Sequence, residues 1–528
     1  MAILDDNKGS MQKGVCSMYQ TKTECLYHLL DFAVEKGLVA PIDRSYTLNR
    51  LMEIMQMDAP EEIEYAAEPV PETATAYLDR LCDFAAEDGV IQDSGERRDL
   101  FSAKLMGVLT PHPAMVREKF NVLSANLGPK AATKWFYQLC RDVDYIRVDR
   151  IAKNARFFED SPAGQLEITI NLSKPEKDPR DIAAQRNAKQ TAYPKCMLCP
   201  ENPGYAGRIG FPARQNHRTL PLQLGGKPWH MQYSPYLYYN EHCIVFNDEH
   251  IPMAITRGTF DRLFDFVDKF PHYFLGSNAD LPIVGGSILS HDHFQGGNHV
   301  FPMDNAGVRI PLECPVSGIE AYIADWPMTC IVLKGEDRNA LTDLADRILV
   351  AWRGYSDPSV NVHAETDGVP HNTITPVVRK EGDRYKVYLV LRNNLTTDEH
   401  PLGVYHPHAD LHHIKKENIG LIEVMGLFIL PGRLLSELDA LKDYLTGKTA
   451  IDSVPGEDSP LAKHYDWIRE IAAECGTSLT DEAAKTAINK ALAVKCARVL
   501  ADAGVYKHSE EGDAGVVRFM ETVGFKKA

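Results

Sequence analysis

One order of elements occurs twice in the middle of the chain, and this repeat constrains the fold more than any other feature. The first copy has an apolar run, a helix-like segment and a second apolar run, at residues 242–247, 259–270 and 281–293. The second copy has the same elements at residues 329–334, 340–352 and 360–373. In this alignment Thr373 takes the place of His293, so only the first copy ends in two histidines, His291 and His293. Two copies are fewer than a solenoid needs, so we predict one pseudo-symmetric sheet.

The flanking regions have helical periodicity. Apolar residues recur at helical spacing at residues 23–34, 73–81, 131–139, 458–473 and 483–501. Residues 165–172 instead alternate with a period of two, which indicates a strand. We therefore predict an α+β fold. The predicted regions are a helical N-terminal region at residues 1–155, a first unit with the paired histidines at 156–310, a second, degenerate unit at 311–430 and a helical C-terminal region at 431–528.

Charge and composition exclude several classes of function. The 528 residues have a formal net charge of −16 without a compensating basic stripe, which argues against a nucleic-acid or membrane partner. No apolar run approaches the roughly 20 residues of a membrane helix, and the first residues lack the features of a secretion signal. The eleven cysteines are mostly scattered singly, as in reduced proteins. We expect a cytoplasmic protein.

The pentapeptide from His291 to Gln295 is the strongest candidate for chemistry. On an extended segment His291, His293 and Gln295 share one face. Imidazole is a nucleophile, a proton carrier or a metal ligand near neutral pH. A buried histidine is more often a hydrogen-bonded core residue, but glycines on both sides of this motif favour the close approach of a ligand. A nucleophilic His293 would attack phosphorus, and Gln295 would hydrogen-bond a phosphoryl oxygen.

Cys196 and Cys199 form the one Cys-x-x-Cys spacing in the chain. Two thiolates at this spacing can bind one tetrahedral ion, most often zinc. Histidines would have to complete such a site, and His250 and His291 are the candidates. The alternative is two structural thiols without a metal. A redox pair is less favoured, because the start of a thioredoxin-like helix is not evident here.

A basic, amide-rich run follows a loop rich in glycine and proline. The guanidinium groups of Arg214 and Arg218 suit phosphate oxygens, and Asn216 suits sugar hydroxyls. A solvated loop is the alternative, and it is the commoner fate of such runs.

Two other polar stretches are less favoured: a pair of histidines interpreted as surface or second-site residues, and a charged run. His406 and His408 repeat the spacing of the paired histidines, but no long apolar strand precedes them. We therefore rank them below His291 and His293 as candidates. Residues 415–418 are interpreted as a helix surface.

Several long strings match a known family, at residues 201–208, 212–218, 285–297, 412–420 and 430–433. With the motifs above, they resemble the galactose-1-phosphate uridylyltransferases of the histidine-triad superfamily, in particular their bacterial class II branch, over essentially the whole chain. The resemblance implies one continuous antiparallel sheet flanked by helices. It also implies a two-step exchange without an organic cofactor. UDP-glucose gives its uridylyl group to a histidine, glucose 1-phosphate leaves, and galactose 1-phosphate becomes UDP-galactose.

The resemblance also assigns individual residues. It implies that His293 is the nucleophile and that Gln295 holds the phosphoryl oxygen. The positions that match the zinc ligands of class I enzymes are Cys196, Cys199, His250 and His291. The predicted substrate-binding residues are Arg214, Asn216, Arg218, Asn278 and Ser287.

The sequence departs from the class I enzymes of this family in two places. Class I has a proline between the two histidines, where this chain has Asp292. The second metal of class I needs histidines in the second repeat, where only His371 is comparable, so a second metal is not expected. The expected partners are UDP-glucose and galactose 1-phosphate, with a homodimer as the assembly to test. Two other functions stay open: a histidine-triad nucleotide hydrolase or phosphorylase, and a nucleotide-sugar-binding protein without turnover.

Overall fold

A computed structural model of the protein describes residues 19–173, 191–286 and 288–528. These residues form two compact units, and the chain crosses between them several times. The first unit consists of the described parts of residues 1–153, 173–222 and 230–237. The second consists of residues 154–172, 223–229 and the described parts of 238–528. The region boundaries given above stay predictions. In the described parts of the chain, every helix is too short or too polar to cross a membrane.

The first unit is built mainly from helices. They are α1 Lys22–Glu35, α2 Arg44–Met55, α3 Thr75–Glu87, α4 Gly95–Leu109, α5 Pro113–Leu127, α6 Pro129–Asp142 and α7 Val148–Ile151. Three of them, α1, α3 and α6, confirm the periodicity predicted for this region. Both α5 and α6 begin at a proline, which suits the first turn because the amide at that position has no partner within the helix.

The described residues contain sixteen strands, and most belong to the second unit. In chain order they are β1 Ala155–Ser161, β2 Gly164–Asn171, β3 Leu220–Leu224, β4 Lys227–Tyr233, β5 Cys243–Asn247, β6 Phe274–Gly276, β7 His293–Gly297, β8 Val308–Glu313, β9 Glu320–Ala324, β10 Cys330–Gly335, β11 Glu365–Thr366, β12 Val369–Pro370, β13 Asn372–Glu381, β14 Arg384–Asn393, β15 Leu427–Pro431 and β16 Lys526–Lys527. Strand β2 confirms the strand predicted at residues 165–172, and its residues 166–170 are buried on both faces. The chain passes between the two units along β3 and β4.

The second unit contains one antiparallel sheet with the strand order β16–β8–β9–β10–β14–β13–β6–β7–β5. Every neighbouring pair in this order is antiparallel. A separate small sheet has the order β1–β2–β15. The helices of this unit are α8 Arg257–Lys269, α9 Arg338–Arg353, α10 Leu421–Val424, α11 Arg433–Leu445, α12 Tyr465–Cys475, α13 Asp481–Ala503 and α14 Glu510–Thr522. The α+β fold with one continuous antiparallel sheet is therefore confirmed.

The repeat is confirmed, but its internal alignment differs from the prediction. In the order β10–β14–β13–β6–β7–β5, the two copies are arranged symmetrically about the contact between β13 and β6. Strands β5, β6 and β7 of the first copy therefore correspond to β10, β13 and β14 of the second. His293 pairs with Phe246, and the equivalent of Phe246 in the second copy, Leu333, pairs with Val387. Val387 is therefore the counterpart of His293, and the predicted pairing with Thr373 is wrong. Thr373 lies on β13, the counterpart of β6. Spacing along the chain could not distinguish two adjacent strands of similar apolar character.

Trp352 joins helix α9 to the sheet and to the last helix. Its side chain is fully buried, and its indole N–H donates to the carbonyl oxygen of Thr373 at 2.9 Å. Its ring centroid lies 5.1 Å from that of Phe519 on α14. Trp352 therefore combines a large buried apolar area with a satisfied buried donor.

We expect Trp352→Ala to lower the free energy of unfolding by about 3–5 kcal/mol, because the substitution leaves a large cavity. Val350 on the same helix is 65% exposed and supplies the control. Val350→Ala should change the free energy of unfolding by less than about 0.5 kcal/mol. Urea denaturation followed by circular dichroism measures both variants. Equal unfolding midpoints would contradict this account of Trp352.

Candidate active site

His293 is the first residue of β7, which lies between β5 and β6 in the sheet. Its Nδ1 is 2.8 Å from the carbonyl oxygen of His291. A carbonyl oxygen only accepts, so Nδ1 carries the proton and Nε2 carries the lone pair. Burial lowers the pKa of His293 to about 4, although the hydrogen bond to His291 acts in the opposite direction. At neutral pH the imidazole is therefore uncharged, with a nucleophilic nitrogen.

Gln295 shares the face of His293, because the two residues are separated by one position on the strand. Both line a cavity of about 450 Å³ in the second unit. The other lining residues are Asn278, Gly285, Gly286, Glu417, Asn418, Gly420, Leu421, Ile422 and Glu423. The cavity thus combines a nucleophile candidate, an amide donor and a polar wall.

Asn278 follows β6 and supports the wall of this cavity. The strand register pairs Gly276 with Gln295, and its continuation places Asn278 opposite His293. The Asn278 Oδ1 accepts a hydrogen bond from the backbone N–H of Leu421 at 2.8 Å, at the start of α10. A Cβ at Gly286 would lie 2.5 Å from Asn278 Nδ2, so the glycine is needed for this close approach. The predicted substrate contact of Asn278 stays a prediction, and Ser287 lies outside the described residues.

Glu417 and Asn418 are cavity residues that the sequence analysis missed. Residues 415–418 form a loop, so their interpretation as a helix surface is wrong. Lys415 is buried, and its Nζ lies 3.1 Å from an oxygen of Glu423. Burial opposes ionisation of Glu417, but Lys415 and backbone N–H donors outweigh it and lower its pKa. The polar run directly before Gly420, which belongs to one of the family-like strings, was the available signal.

The two cysteine thiols form a close pair in the first unit. The Sγ atoms of Cys196 and Cys199 are 3.6 Å apart. The side-chain amide of Asn202 donates to the carbonyl oxygens of Cys196 at 2.9 Å and of Cys199 at 2.8 Å. These hydrogen bonds hold the loop in the conformation that brings the thiols together.

The histidines predicted as metal ligands form a close pair in the second unit. The ring centroids of His250 and His291 are 4.7 Å apart. The Nε2 of His291 lies 2.8 Å from the carbonyl oxygen of Asn247 and donates to it, so the lone pair of His291 is on Nδ1. The predicted ligands thus comprise two thiols of the first unit, Cys196 and Cys199, and two imidazoles of the second unit, His250 and His291, and these residue types are compatible with zinc.

Asp292 projects from the opposite face of the strand to His291 and His293. Its carboxylate lies 3.9 Å from a guanidinium nitrogen of Arg262 on α8. The Arg262 guanidinium also lies over the stacked rings of Trp229 and Phe294, at 5.4 and 5.7 Å from their centroids. Burial raises the pKa of Asp292 to about 6, although Arg262 opposes this change. The aspartate therefore joins the histidine segment to helix α8.

Arg214, Asn216 and Arg218 lie in the first unit. The Arg218 guanidinium donates to backbone carbonyl oxygens at four positions, Pro111, Thr110, Gln215 and His217. Asn216 donates to the carbonyl oxygen of Val143 at 2.9 Å. Arg214 and Asn216 line a second cavity of about 450 Å³. These contacts organise the loop, and the predicted substrate contacts stay predictions.

His406 and His408 do not line the cavity that contains His293. The ring of His408 stacks on His400 at 4.3 Å, and its Nε2 bonds the carbonyl oxygen of Val404. His406 is buried beside Pro407. Both histidines are thus engaged elsewhere in the second unit.

Comparison with known proteins identifies the family of this chain. The family models for the N-terminal and C-terminal domains of galactose-1-phosphate uridyl transferase match residues 37–252 and 266–454. These matches place the chain in a family of transferases. It belongs to the galactose-1-phosphate uridylyltransferase family.

Individual relatives extend over nearly the whole chain. The chain is 49% identical to galactose-1-phosphate uridylyltransferase of Caldanaerobacter subterraneus subsp. tengcongensis, over 96% of this chain and 99% of that protein. It is 47% identical to the Bacillus subtilis protein of the same name, over 95% and 98% of the two chains. Among solved structures, yeast Ap4A phosphorylase Apa2 is 14% identical and aligns with 67% of this chain and 98% of that chain, at a TM-score of 0.30.

We expect Asn278→Ala to lower the free energy of unfolding by about 1–2 kcal/mol, because it leaves the buried N–H of Leu421 without its acceptor. Amide hydrogen exchange at residues 421–424 should also become faster. The side chain of Asn240 makes an exposed hydrogen bond to the carbonyl oxygen of Asn298, so Asn240→Ala is the control and should leave exchange at residues 421–424 unchanged. Unchanged exchange in Asn278→Ala would show that Asn278 does not hold the wall of the cavity.

Proposed function

We propose that this protein transfers a uridylyl group from UDP-glucose to galactose 1-phosphate through a covalent intermediate on His293. The observation that carries the proposal is a buried, neutral His293 whose Nε2 lone pair is available in a cavity shared with Gln295. The names of the relatives support galactose 1-phosphate as a substrate. The family resemblance of the sequence supports UDP-glucose as the donor.

The reaction consists of two displacements at one phosphorus atom. In the first, the lone pair of His293 Nε2 forms a bond to the α-phosphorus of UDP-glucose. The bond from that phosphorus to the bridging oxygen breaks, and glucose 1-phosphate leaves with the bonding electrons. In the second, a phosphate oxygen of galactose 1-phosphate attacks the same phosphorus, and the phosphorus–nitrogen bond breaks. The intermediate lets one site serve both sugar phosphates in turn.

Two neighbouring groups stabilise the charges that develop. Bond formation leaves a positive charge on the imidazole of His293, and the carbonyl oxygen of His291 already accepts its Nδ1–H. The side-chain N–H of Gln295 donates to a non-bridging phosphoryl oxygen as negative charge shifts during transfer. Transfer at phosphorus depends mainly on such positioning and charge stabilisation.

The polar wall of the cavity supplies contacts for the sugar. Glu417, Asn418 and Glu423 line the same cavity as His293, and their oxygens and amide suit hydroxyl groups. The buried Lys415 offsets the charge of the carboxylates beside it. These residues are the structural candidates for binding the hexose.

We also propose that Cys196, Cys199, His250 and His291 bind one zinc ion. The ligand types fit zinc, and the hydrogen bond of His291 Nε2 to Asn247 leaves Nδ1 as its ligand atom. The ion would act structurally, because it would fix His291, whose carbonyl oxygen orients His293. The nucleophile itself is His293, so the transfer needs no metal-bound group.

A cytoplasmic location and a homodimer complete the proposal. Most of the eleven cysteines are scattered singly along the chain, which supports a reducing compartment. Size-exclusion chromatography with light scattering tests the dimer, and a monomeric mass would contradict it.

We expect His293→Gly to abolish covalent labelling, because the variant has no nitrogen to attack phosphorus. Wild-type protein incubated with UDP-glucose labelled at the α-phosphorus should acquire acid-labile label and release glucose 1-phosphate. His408→Gln is the control and should label like wild type, since His408 is outside the cavity. Label on His293→Gly would show that another residue is the nucleophile. Transfer of label to water faster than to galactose 1-phosphate would identify a hydrolase instead.

We expect purified protein to contain about one zinc per chain, and Cys199→Ser to lose most of it, because serine is a poor ligand for this ion. Elemental analysis by mass spectrometry measures both. Cys314→Ser is the matched control, since Cys314 is not among the candidate ligands. Equal zinc content in the two serine variants would contradict the proposed site.

A further inference from the structure

His242 lies next to Gln295 in the sheet. Strand β5 pairs with β7 so that Ile244 is opposite Gln295, and directly opposite side chains of an antiparallel pair share a face. His242, two residues before Ile244, is therefore a diagonal neighbour of Gln295 on that face. The continued register places it opposite Gly297, where a Cβ would lie 2.7 Å from the carbonyl oxygen of Glu241. Because position 297 has no side chain, the imidazole of His242 has room to lean toward Gln295.

The imidazole of His242 is almost completely buried, with 2% of its surface exposed. It packs against two tyrosine rings, with centroid distances of 4.4 Å to Tyr239 and 5.6 Å to Tyr238. Within the described residues, neither ring nitrogen makes a hydrogen bond of normal length and angle. Burial lowers the pKa of His242 to about 3, while the side chain of Gln295 acts in the opposite direction. The ring is therefore neutral, with one N–H donor and one acceptor nitrogen.

Gln295 can perform its proposed function in only one of its two amide orientations. The NH₂ group has to face the phosphoryl oxygen, because the carbonyl oxygen Oε1 would repel it. A donor that holds Oε1 on the other side selects the productive orientation. Buried polar groups normally have hydrogen-bond partners, and the amide of Gln295 is the neighbour that can satisfy the imidazole N–H.

We propose that His242 is a positioning residue, whose ring N–H donates to Gln295 Oε1 and so directs the amide NH₂ toward the phosphoryl group. This inference rests on the proposed uridylyl transfer. The second copy of the repeat agrees with it. Thr329 stands in the place of His242 and accepts instead from the backbone N–H of Tyr506, and Leu389, paired with Ile331, stands in the place of Gln295. The imidazole and the amide thus occur together, in the copy that also has the nucleophile.

His242→Met and His242→Gln form a matched pair, since the two side chains have similar size and only glutamine donates a hydrogen bond. We expect His242→Met to lower kcat about tenfold, with the KM for UDP-glucose changed less than about twofold, because the amide acts on the transition state. His242→Gln should retain most of the wild-type kcat. Single-turnover release of glucose 1-phosphate separates this first step from the second.

The decisive comparison repeats the pair in a Gln295→Met background. There both His242 variants should have equal kcat, because the amide that His242 orients is absent. The proposal is overturned if the two His242 variants still differ in kcat by the same factor in the Gln295→Met background. It is also overturned if the two variants have equal kcat when Gln295 is present. Thermal unfolding checks each variant, and the smaller pair His242→Leu and His242→Asn replaces any that does not fold. Wild-type protein that transfers no uridylyl group would instead refute the proposed function itself.

Discussion

The hydrogen bond from His293 Nδ1 to the carbonyl oxygen of His291 is the contact on which the candidate active site depends. It fixes the tautomer of His293, the proposed nucleophile, and the direction of its lone pair. It also ties His293 to the backbone of His291, which is itself held by the hydrogen bond from His291 Nε2 to Asn247. A metal bound at His291 would therefore stabilise the geometry at phosphorus without contacting the substrate.

The contacts of Asp292 explain why an aspartate, and not a proline, lies between the two histidines. Its backbone N–H donates to Ile251 at 2.7 Å, and its carbonyl oxygen accepts from Asn247 at 2.9 Å. A proline has no N–H and could not make the first of these bonds. The carboxylate in turn pairs with Arg262, a partly buried cation that lies over Trp229 and Phe294. This chain thus anchors the histidine segment by hydrogen bonds and charge.

The second copy of the repeat acts as a scaffold for the first. Val387 and Leu389 occupy the positions of His293 and Gln295, so β14 has no group for phosphorus chemistry there. The second copy instead supports the loop between β6 and β7. Thr373 donates to the carboxylate of Asp280, and Asn394 donates to the carbonyl oxygen of Pro282. The second copy therefore both continues the sheet and supports the loop that precedes His293.

The sequence alone determined the elements of this protein and its chemical groups. Periodicity predicted the helices at both ends and the two copies of the repeat, because the burial of one face imposes a local pattern. The His-x-His-x-Gln and Cys-x-x-Cys motifs and the family-like strings identified the candidate nucleophile, amide and metal ligands. These features are readable because each depends on residue types at short spacing.

Only the tertiary structure decided which strands are neighbours and which distant residues share a cavity. Sheet order corrected the counterpart of His293 from Thr373 to Val387. The fold also brought Glu417 and Asn418, more than a hundred positions away in the chain, to the cavity of His293. In the fold the carboxylate of Asp292 pairs with the guanidinium of Arg262, and the guanidinium of Arg218 donates hydrogen bonds to backbone carbonyl oxygens. Strand pairing and loop closure join residues through space, and local sequence patterns carry no information about such long-range contacts.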